Sequence, residues 1–339
     1  MKKNYLLSIV ALLLLMSCDT NDNNDPAQSC DADFISLTTS SIDPSQTNFG
    51  FYKYPKSNTL STPVSLNSGN TFLTTNSRLS LAKSTIDNIH NRLTYYFPYI
   101  NELITYDINN NTVSQATIPG VSTPEYLNGN LYFLQETNAV SSTFNTLSAD
   151  FTIIDENLSI VNPSTSIDFT GSGYFNASYL LSTSNEMDKI YFLANSKLII
   201  YDHSTGSWSD YLLETFDATT NRIYYIGVEY VDANTLLALR GNVMANKLEL
   251  IKIDLSSTTP SISVEKDLSG DLSIPSLDII NGHDSISTSF DSCDNSFYFV
   301  YNSTGSNIRS IVFEIKLNSN TIYEYPQNTS LLLGFDIKD

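Results

Sequence analysis

The chain predicts an all-β fold built from repeated four-stranded units, and three observations predict it. The stretch Lys189 to Trp208, KIYFLANSKLIIYDHSTGSW, holds two strand-length runs and the start of a third. These runs are rich in β-branched and aromatic residues and are separated by polar turns, which reads as an antiparallel meander. The pattern then recurs. The second run of each copy ends at Tyr54-Pro55, Tyr106-Asp107, Ile154-Asp155, Tyr201-Asp202, Ile253-Asp254 and Ile315-Lys316, at spacings of 52, 48, 47, 52 and 62 residues. Finally, no segment of the mature chain carries a helical period. Short strands in fours at this period mark the blades of a six-bladed β-propeller rather than the turns of a solenoid.

Each copy supplies its strands in the same order. An aromatic second strand (Tyr95 to Phe97, Leu131 to Phe133, Ile190 to Phe192, Phe297 to Phe299, and Leu236 to Leu239 in the weakest copy) precedes the third, and a polar turn leads to the fourth. One more strand lies upstream, as at Ile226 to Val231 or Ser285 to Phe290. The first copy has only Phe34 to Leu37, Phe49 to Tyr54 and Pro63 to Leu66, while the C-terminus carries an orphan run, Leu331 to Asp336. The C-terminal strand is therefore expected to complete the first blade from inside and close the ring, which leaves no long edge exposed. Aligning Phe335-Asp336 with Ile86-Asp87 and Phe290-Asp291 sets its expected register, and Cys30-Asp31 aligns with Cys293-Asp294.

The N-terminus reads differently. Lys2 and Lys3 precede an apolar run, Leu6 to Met16, too short for a convincing membrane span, so residues 1–17 read as a signal peptide. Leu15-Met16-Ser17-Cys18 resembles the lipobox of bacterial lipoproteins, and the resemblance implies that Cys18 is the lipid-attachment site (palmitate and related acyl chains). Residues 18–29 hold almost nothing that could be buried and read as a disordered acidic tether. Residues 30–339 are the propeller. The expected location is the cell envelope, lipid-anchored at the outer membrane, periplasmic or surface-exposed. The leaflet stays open, because an acidic run after the lipidated cysteine resembles surface-export signals in some bacteria and retention signals in others. The stretch Glu102 to Gly120, ELITYDINNNTVSQATIPG, resembles one repeat of the YVTN family of propellers. The double glycine of kelch repeats and the Trp-Asp of WD40 repeats are absent.

Without residues 1–17 the chain has 15 Lys and Arg against 36 Asp and Glu, a net charge of −21. Such a field repels nucleic acid and anionic headgroups and favours neutral or cationic partners. No G-x-S-x-G, H-E-x-x-H or P-loop string occurs. His90, His203 and His283 have no second His or Cys at ligand spacing, so no metal and no cofactor is expected. Asp107, Asp155, Asp202 and Asp254 each end a strand before a turn, which suits an Asx side chain bonding to the backbone ahead better than a calcium site. With Cys18 lipidated, Cys30 and Cys293 are the two remaining cysteines, and whether they form a disulfide is left open.

Loop length points to a site. From the second strand to the third-strand end the distance is 10 residues in two copies but 22, 16 and 17 in three others. The loops Gln135 to Asp150, Arg240 to Lys247 and Asn302 to Arg309 are therefore expected to line one face, with Phe144, Asn145, Arg240, Asn242, Asn302 and Arg309 suited to a polar ligand. The expected function is a monomeric binding or scaffolding module for a glycan, a peptide or an envelope protein. The alternative is a propeller enzyme, calcium-dependent and lactonase-like or glycan-processing, which needs carboxylates converging on the central channel.

Overall fold

The computed structural model describes residues 33–39, 49–55, 63–70, 83–97, 101–118, 123–140, 145–161, 165–168, 180–194, 197–215, 219–282, 286–302, 310–327 and 331–338. Residues 32–339 form one compact unit. Cys18, Cys30, Phe144 and Arg309 fall outside the described residues, as does the loop 303–309.

Six antiparallel sheets make up the unit. Blade 1 begins with β1 (Asp33–Thr39), β2 (Phe49–Pro55) and β3 (Val64–Asn70). Blade 2 is β4 (Lys83–Asp87), β5 (Arg92–Phe97), β6 (Glu102–Asp107) and β7 (Thr112–Thr117); blade 3 is β8 (Glu125–Leu127), β9 (Asn130–Val140), β10 (Asn145–Ile154) and β11 (Thr165–Asp168). Blade 4 is β12 (Leu181–Ser184), β13 (Lys189–Ala194), β14 (Lys197–Asp202) and β15 (Ser207–Leu212). Blade 5 is β16 (Ile223–Asp232), β17 (Thr235–Asn242), β18 (Lys247–Asp254) and β19 (Ser261–Asp267). A short helix, α1 (Ser276–Asn281), leads to blade 6: β20 (Ile286–Asp291), β21 (Ser296–Asn302), β22 (Ser310–Lys316) and β23 (Thr321–Gln327). Two C-terminal strands, β24 (Leu331–Leu332) and β25 (Asp336–Lys338), pair with β1 and complete blade 1. The inner strands neighbour one another in a closed circuit: β25, β4, β8, β12, β16, β20 and back to β25. The architecture is the six-bladed β-propeller expected, closed by the C-terminus.

The packing follows from strand position. Second and third strands are buried on both faces and read as near-continuous apolar runs, such as RLTYYF in β5 and SFYFVYN in β21. The described side chains of the fourth strands are exposed or half-buried throughout, as in SWSDYL of β15. Six apolar clusters result, one at each blade-to-blade interface. At the closure between blades 6 and 1, Phe335 stacks on Phe34 at 4.7 Å and lies 6.3 Å from Tyr298. Buried aromatics of this kind contribute about 1.5–3 kcal/mol each from burial alone.

A recurrent turn joins the strands. Its first residue is Asp or Asn and its fifth is Asn or Gly with positive φ: Asp87/Asn91, Asp107/Asn111, Asp202/Gly206, Asn242/Asn246 and Asp291/Asn295. The first side chain accepts the backbone N–H two or three residues on, as Asp107 does from Asn110 at 2.9 Å and Asp254 from Ser256 at 2.8 Å. The fifth residue takes the left-handed conformation that Asn and Gly tolerate best. The strand-end aspartates are thus turn formers.

Two expectations need correction. Ile337, not Phe335, occupies the position of Ile86 and Phe290, because Ile337 pairs with Phe34 just as Ile86 pairs with Leu93 and Phe290 with Phe297. A shift of two residues keeps the same side chains facing the same way, so the hydrophobic pattern cannot detect it. Moreover, the long connection Gln135 to Asp150 is largely a strand extension, since β9 runs to Val140 and β10 begins at Asn145. Arg240 to Lys247 is likewise the end of β17, a four-residue turn and the start of β18.

Candidate functional site

The inner strands enclose a cavity of about 460 Å³ on the propeller axis. Strand register defines one level of it. In every blade a second-strand residue faces the end of the third strand: Leu93 opposite Tyr106, Leu131 opposite Ile154, Ile190 opposite Tyr201, Leu236 opposite Ile253 and Phe297 opposite Ile315. In blade 1 Phe34 holds that place opposite Tyr54. One step further along the second strand, the inner-strand partners are Thr85, Glu125, Thr183, Glu229, Ser289 and, in blade 1, Asp336. All six line the cavity. Hydroxyls from blades 2, 4 and 6 therefore alternate around the channel with carboxyls from blades 3, 5 and 1.

Hydrogen bonds tie neighbouring blades together at this level. The Thr85 hydroxyl donates to Glu125 Oε2 at 3.2 Å, and the Ser182 hydroxyl to Glu125 Oε1 at 3.1 Å. Thr288 donates to Glu229 Oε1 at 2.5 Å. Thr183 and Ser289 accept the backbone N–H groups of Tyr230 and Ile337, at 2.9 and 3.1 Å. Gly227 is required beside Thr288, since a Cβ there would lie 2.1 Å from the Thr288 methyl. Asp336 is 6% exposed, and its Oδ2 has no hydrogen-bond partner.

Burial disfavours the charged form of each acid. It raises Glu229 to about 8, with the Asp336 charge adding to the shift and the Thr288 hydrogen bond opposing it. Asp336 is raised to about 7 by burial, against hydrogen bonds from Ser84 and Tyr95. Glu125 is pushed well above the usual carboxylate range, first by burial and then by the charge of Glu229. Near neutral pH Glu229 and Asp336 are thus poised between protonated and charged states.

One mouth of the cavity is formed by first-to-second-strand turns. Asn88 and Ile89 come from blade 2, Asn185 to Met187 from blade 4 and Ser292 from blade 6. Glu186, raised by burial, reaches across the short blade 3 and accepts from the Asn88 backbone N–H at 3.1 Å and side-chain amide at 3.0 Å. Ile89 and Met187 stand at this rim 56% and 63% exposed. This is the tight-turn face, opposite the second-to-third-strand connections.

The residues singled out from loop length go elsewhere. Arg240 is held by Glu249 at 2.6 Å and Glu214 at 2.9 Å. Asn242 accepts the Ala245 backbone N–H at 3.0 Å and donates to the Asn221 side chain at 2.9 Å. Asn302 is buried and donates to the Leu332 carbonyl at 2.8 Å, while Leu332 N–H bonds to Ser310 Oγ at 2.8 Å, so blade 6 grips the closing strand. Asn145 opens β10. Of these, Arg240, Asn242 and Asn302 do not line the channel cavity. His90 bonds to Asp87 at 2.9 Å, and His203 sits 5.9 Å from the Tyr132 ring. Cys293 is disulfide-bonded, and its partner lies outside the described residues. Among the described residues no group of three or more His, Cys, Asp or Glu could hold a metal ion, and no helix is long and apolar enough to cross a membrane.

The channel acids were missed because each stands alone in its stretch. STPEYLNGN, YIGVEYVDAN and LLLGFDIKD share no motif, and only register aligns them.

Fold and channel together define a propeller scaffold. No family model matches the chain, and no curated protein matches it. Among solved structures, one similar to it is a protein from Lactobacillus plantarum, with 8% identity and a TM-score of 0.49 over 91% of this chain and 99% of that one. Another is the nidogen/laminin complex, with 10% identity and a TM-score of 0.39 over 68% and 84%. A third is hydrazine synthase of Kuenenia stuttgartiensis, with 11% identity and a TM-score of 0.44 over 76% and 69%.

Proposed function

We propose that the protein is a lipid-anchored binding module of the cell envelope that takes a small polar ligand into its central channel through the tight-turn mouth. The observation that carries this reading is the ring of alternating hydroxyls and carboxyls around a cavity of about 460 Å³. That size suits a small molecule, and convergent polar groups on a rigid wall are what fix a ligand's orientation. The lipobox-like Leu15 to Cys18 supports the anchor, with Cys18 as the acylated residue and residues 18–29 as the tether. Cys30 is the proposed partner of Cys293, which would fasten the start of blade 1 to blade 6. The YVTN-like stretch of blade 2 supplies third and fourth strands, β6 and β7, on the outer side of the ring and takes no part in the channel.

Two variants test this. Cys18→Ser is expected to move the protein from the membrane fraction to the soluble fraction, since acyl chains would be the sole anchor. Retention of the variant after a high-salt wash would remove the lipoprotein reading. Ser287 lines the cavity and its hydroxyl has no hydrogen-bond partner, so Ser287→Phe plugs the channel without breaking a hydrogen bond. Small molecules that raise the melting temperature of the parent protein should fail to raise that of the plugged one. Equal shifts in both would place binding outside the channel.

A second reading has one observation in its favour. Buried carboxyls that stay protonated near neutral pH can act as general acids, which suits a glycan-processing enzyme. Turnover of a bound saccharide that Glu229→Gln abolishes, without loss of binding, would favour it.

A further inference from the structure

We infer that the ligand of this channel is a small organic amine, whose ammonium groups sit within the ring formed by Glu125, Glu229 and Asp336. The inference rests on the channel-binding reading and narrows it to a ligand class. Asp336 Oδ2 is the first reason. The Asp336 carboxyl takes hydrogen bonds from Ser84 and Tyr95, yet its Oδ2 is left without a partner, on a residue more than nine-tenths buried, in the wall of the cavity. A lone buried acceptor of this kind costs about 1–3 kcal/mol unless a donor reaches it. The ring cannot supply that donor from Thr85, Ser182 or Thr288, whose hydroxyl protons already go to Glu125 and Glu229. A ligand that brings a donor supplies what Asp336 Oδ2 lacks.

Charge is the second reason. Among the described residues the lining holds Glu125, Glu186, Glu229 and Asp336 against one cation, Lys83. The mature chain's net charge adds an attractive field for cations at the channel mouth. A bare metal ion is the wrong cation, because calcium needs six to eight oxygens at about 2.3–2.6 Å. The three ring acids come from alternate blades, and among the described residues no cluster meets that demand. Ammonium groups on a carbon frame can meet the acids one at a time across the ring. The exposed Ile89 and Met187 at the mouth give the methylene portion of such a ligand an apolar rim.

The protonation of the ring sets how binding responds to pH. Asp336 faces Glu125 and Glu229 across the channel and the Tyr95 phenol behind it, and burial holds all three acids protonated above the usual carboxylate range. An ammonium ligand stays charged up to about pH 10, whereas the ring gains negative charge as the pH passes through about 7 and 8. Affinity for an amine therefore rises with pH over this window, and binding below it releases protons. A neutral polyol, which accepts from protonated carboxyls, shows the opposite trend.

Titration calorimetry on the full-length, detergent-solubilised protein tests the inference, with spermidine, sorbitol and calcium chloride as probes. Spermidine is expected to bind at least about tenfold more tightly at pH ~8.5 than at pH ~6, with proton release at the lower pH. Asp336→Asn and Glu229→Gln should each weaken it about tenfold, Glu229→Gln serving if the first variant fails to fold. Ser287→Phe should abolish it. Sorbitol binding that the plug blocks, with no spermidine binding, would overturn the amine while leaving the channel reading in place. Calcium binding lost in Glu229→Gln would also overturn it. Spermidine binding that survives both the acid variants and the plug would mark a surface counterion effect and overturn it. If no probe binds and the plug leaves every melting shift unchanged, the channel reading falls with it.

Discussion

Blades 1, 3 and 5 pack against blades 2, 4 and 6 through the same kind of interface, yet the two sets face the channel with different chemistry. Between blades every junction is an apolar cluster built from second and third strands. At the channel the same structural position carries Asp336, Glu125 and Glu229 in the odd blades and Thr85, Thr183 and Ser289 in the even ones. The difference separates two constraints. Interface packing must suit both neighbours of every blade, so it repeats at the single-blade period. The channel wall borders a cavity, so it is free to alternate, and hydroxyls from the neighbouring blades bond to two of the acids, Thr85 and Ser182 to Glu125 and Thr288 to Glu229.

Removing residues 331–339 is the largest test of this comparison, because it takes away an odd-blade acid and the closure together. Leu332, Phe335 and Ile337 are fully buried, and at about 1.5–3 kcal/mol each their loss rivals the whole stability of an ordinary domain. The truncated protein is expected to lose its cooperative melting transition. A melt within a few degrees of the parent would refute closure by the C-terminus.

Gly334→Val strains the closure without removing the acid. A Cβ at Gly334 would lie 2.1 Å from Tyr95 Cε1, so Tyr95 or β25 must move, at a cost of about 1–3 kcal/mol. A clear drop in melting temperature is expected, and amides of β1 should lose hydrogen-exchange protection before those of blade 4.

Thr85→Glu turns an even blade into an odd one. A fourth acid would then stand beside Glu125, in place of the hydroxyl that bonds to it. Like charges at one level cannot all ionise. The variant should melt near the parent at pH ~5 and clearly below it at pH ~8. Equal destabilisation at both values would show that volume rather than charge set the alternation.

Glu229→Gln probes the smallest effect. Glu229 and Asp336 have folded-state values of about 8 and about 7, above those of an unfolded chain, so the native state binds more protons between pH ~4 and pH ~8. Their contribution to stability is therefore full at low pH and falls as the pH rises through that window. Melting temperature should decline from pH ~5 to pH ~8, and Glu229→Gln should flatten the decline. An unchanged slope would mean that Glu229 is already solvated in the native state.

The sequence by itself determined the repeat, the number of blades, the strand-end turns and the partnership of the two chain ends. Tyr106, Ile154, Tyr201, Ile253 and Ile315 recur because each third strand must end in an apolar residue buried against its neighbour, and Asp107 or Asp254 recurs because the turn after it needs a side-chain acceptor. Local patterning and local hydrogen bonding leave their marks within a few residues, so a single chain displays them. Only the tertiary structure decided the channel. Glu125, Glu229 and Asp336 lie about a hundred residues apart in the chain and become neighbours only when six inner strands close into a circuit. Register decided the rest: Asp336 sits two residues from where the pattern placed it, and a two-residue slip leaves every side chain on its own face. Arg240 and Asn302 look like ligand-facing loop residues in one dimension. Their partners, Glu214 and Glu249 for one and the Leu332 carbonyl for the other, appear only when strands from distant parts of the chain are laid side by side.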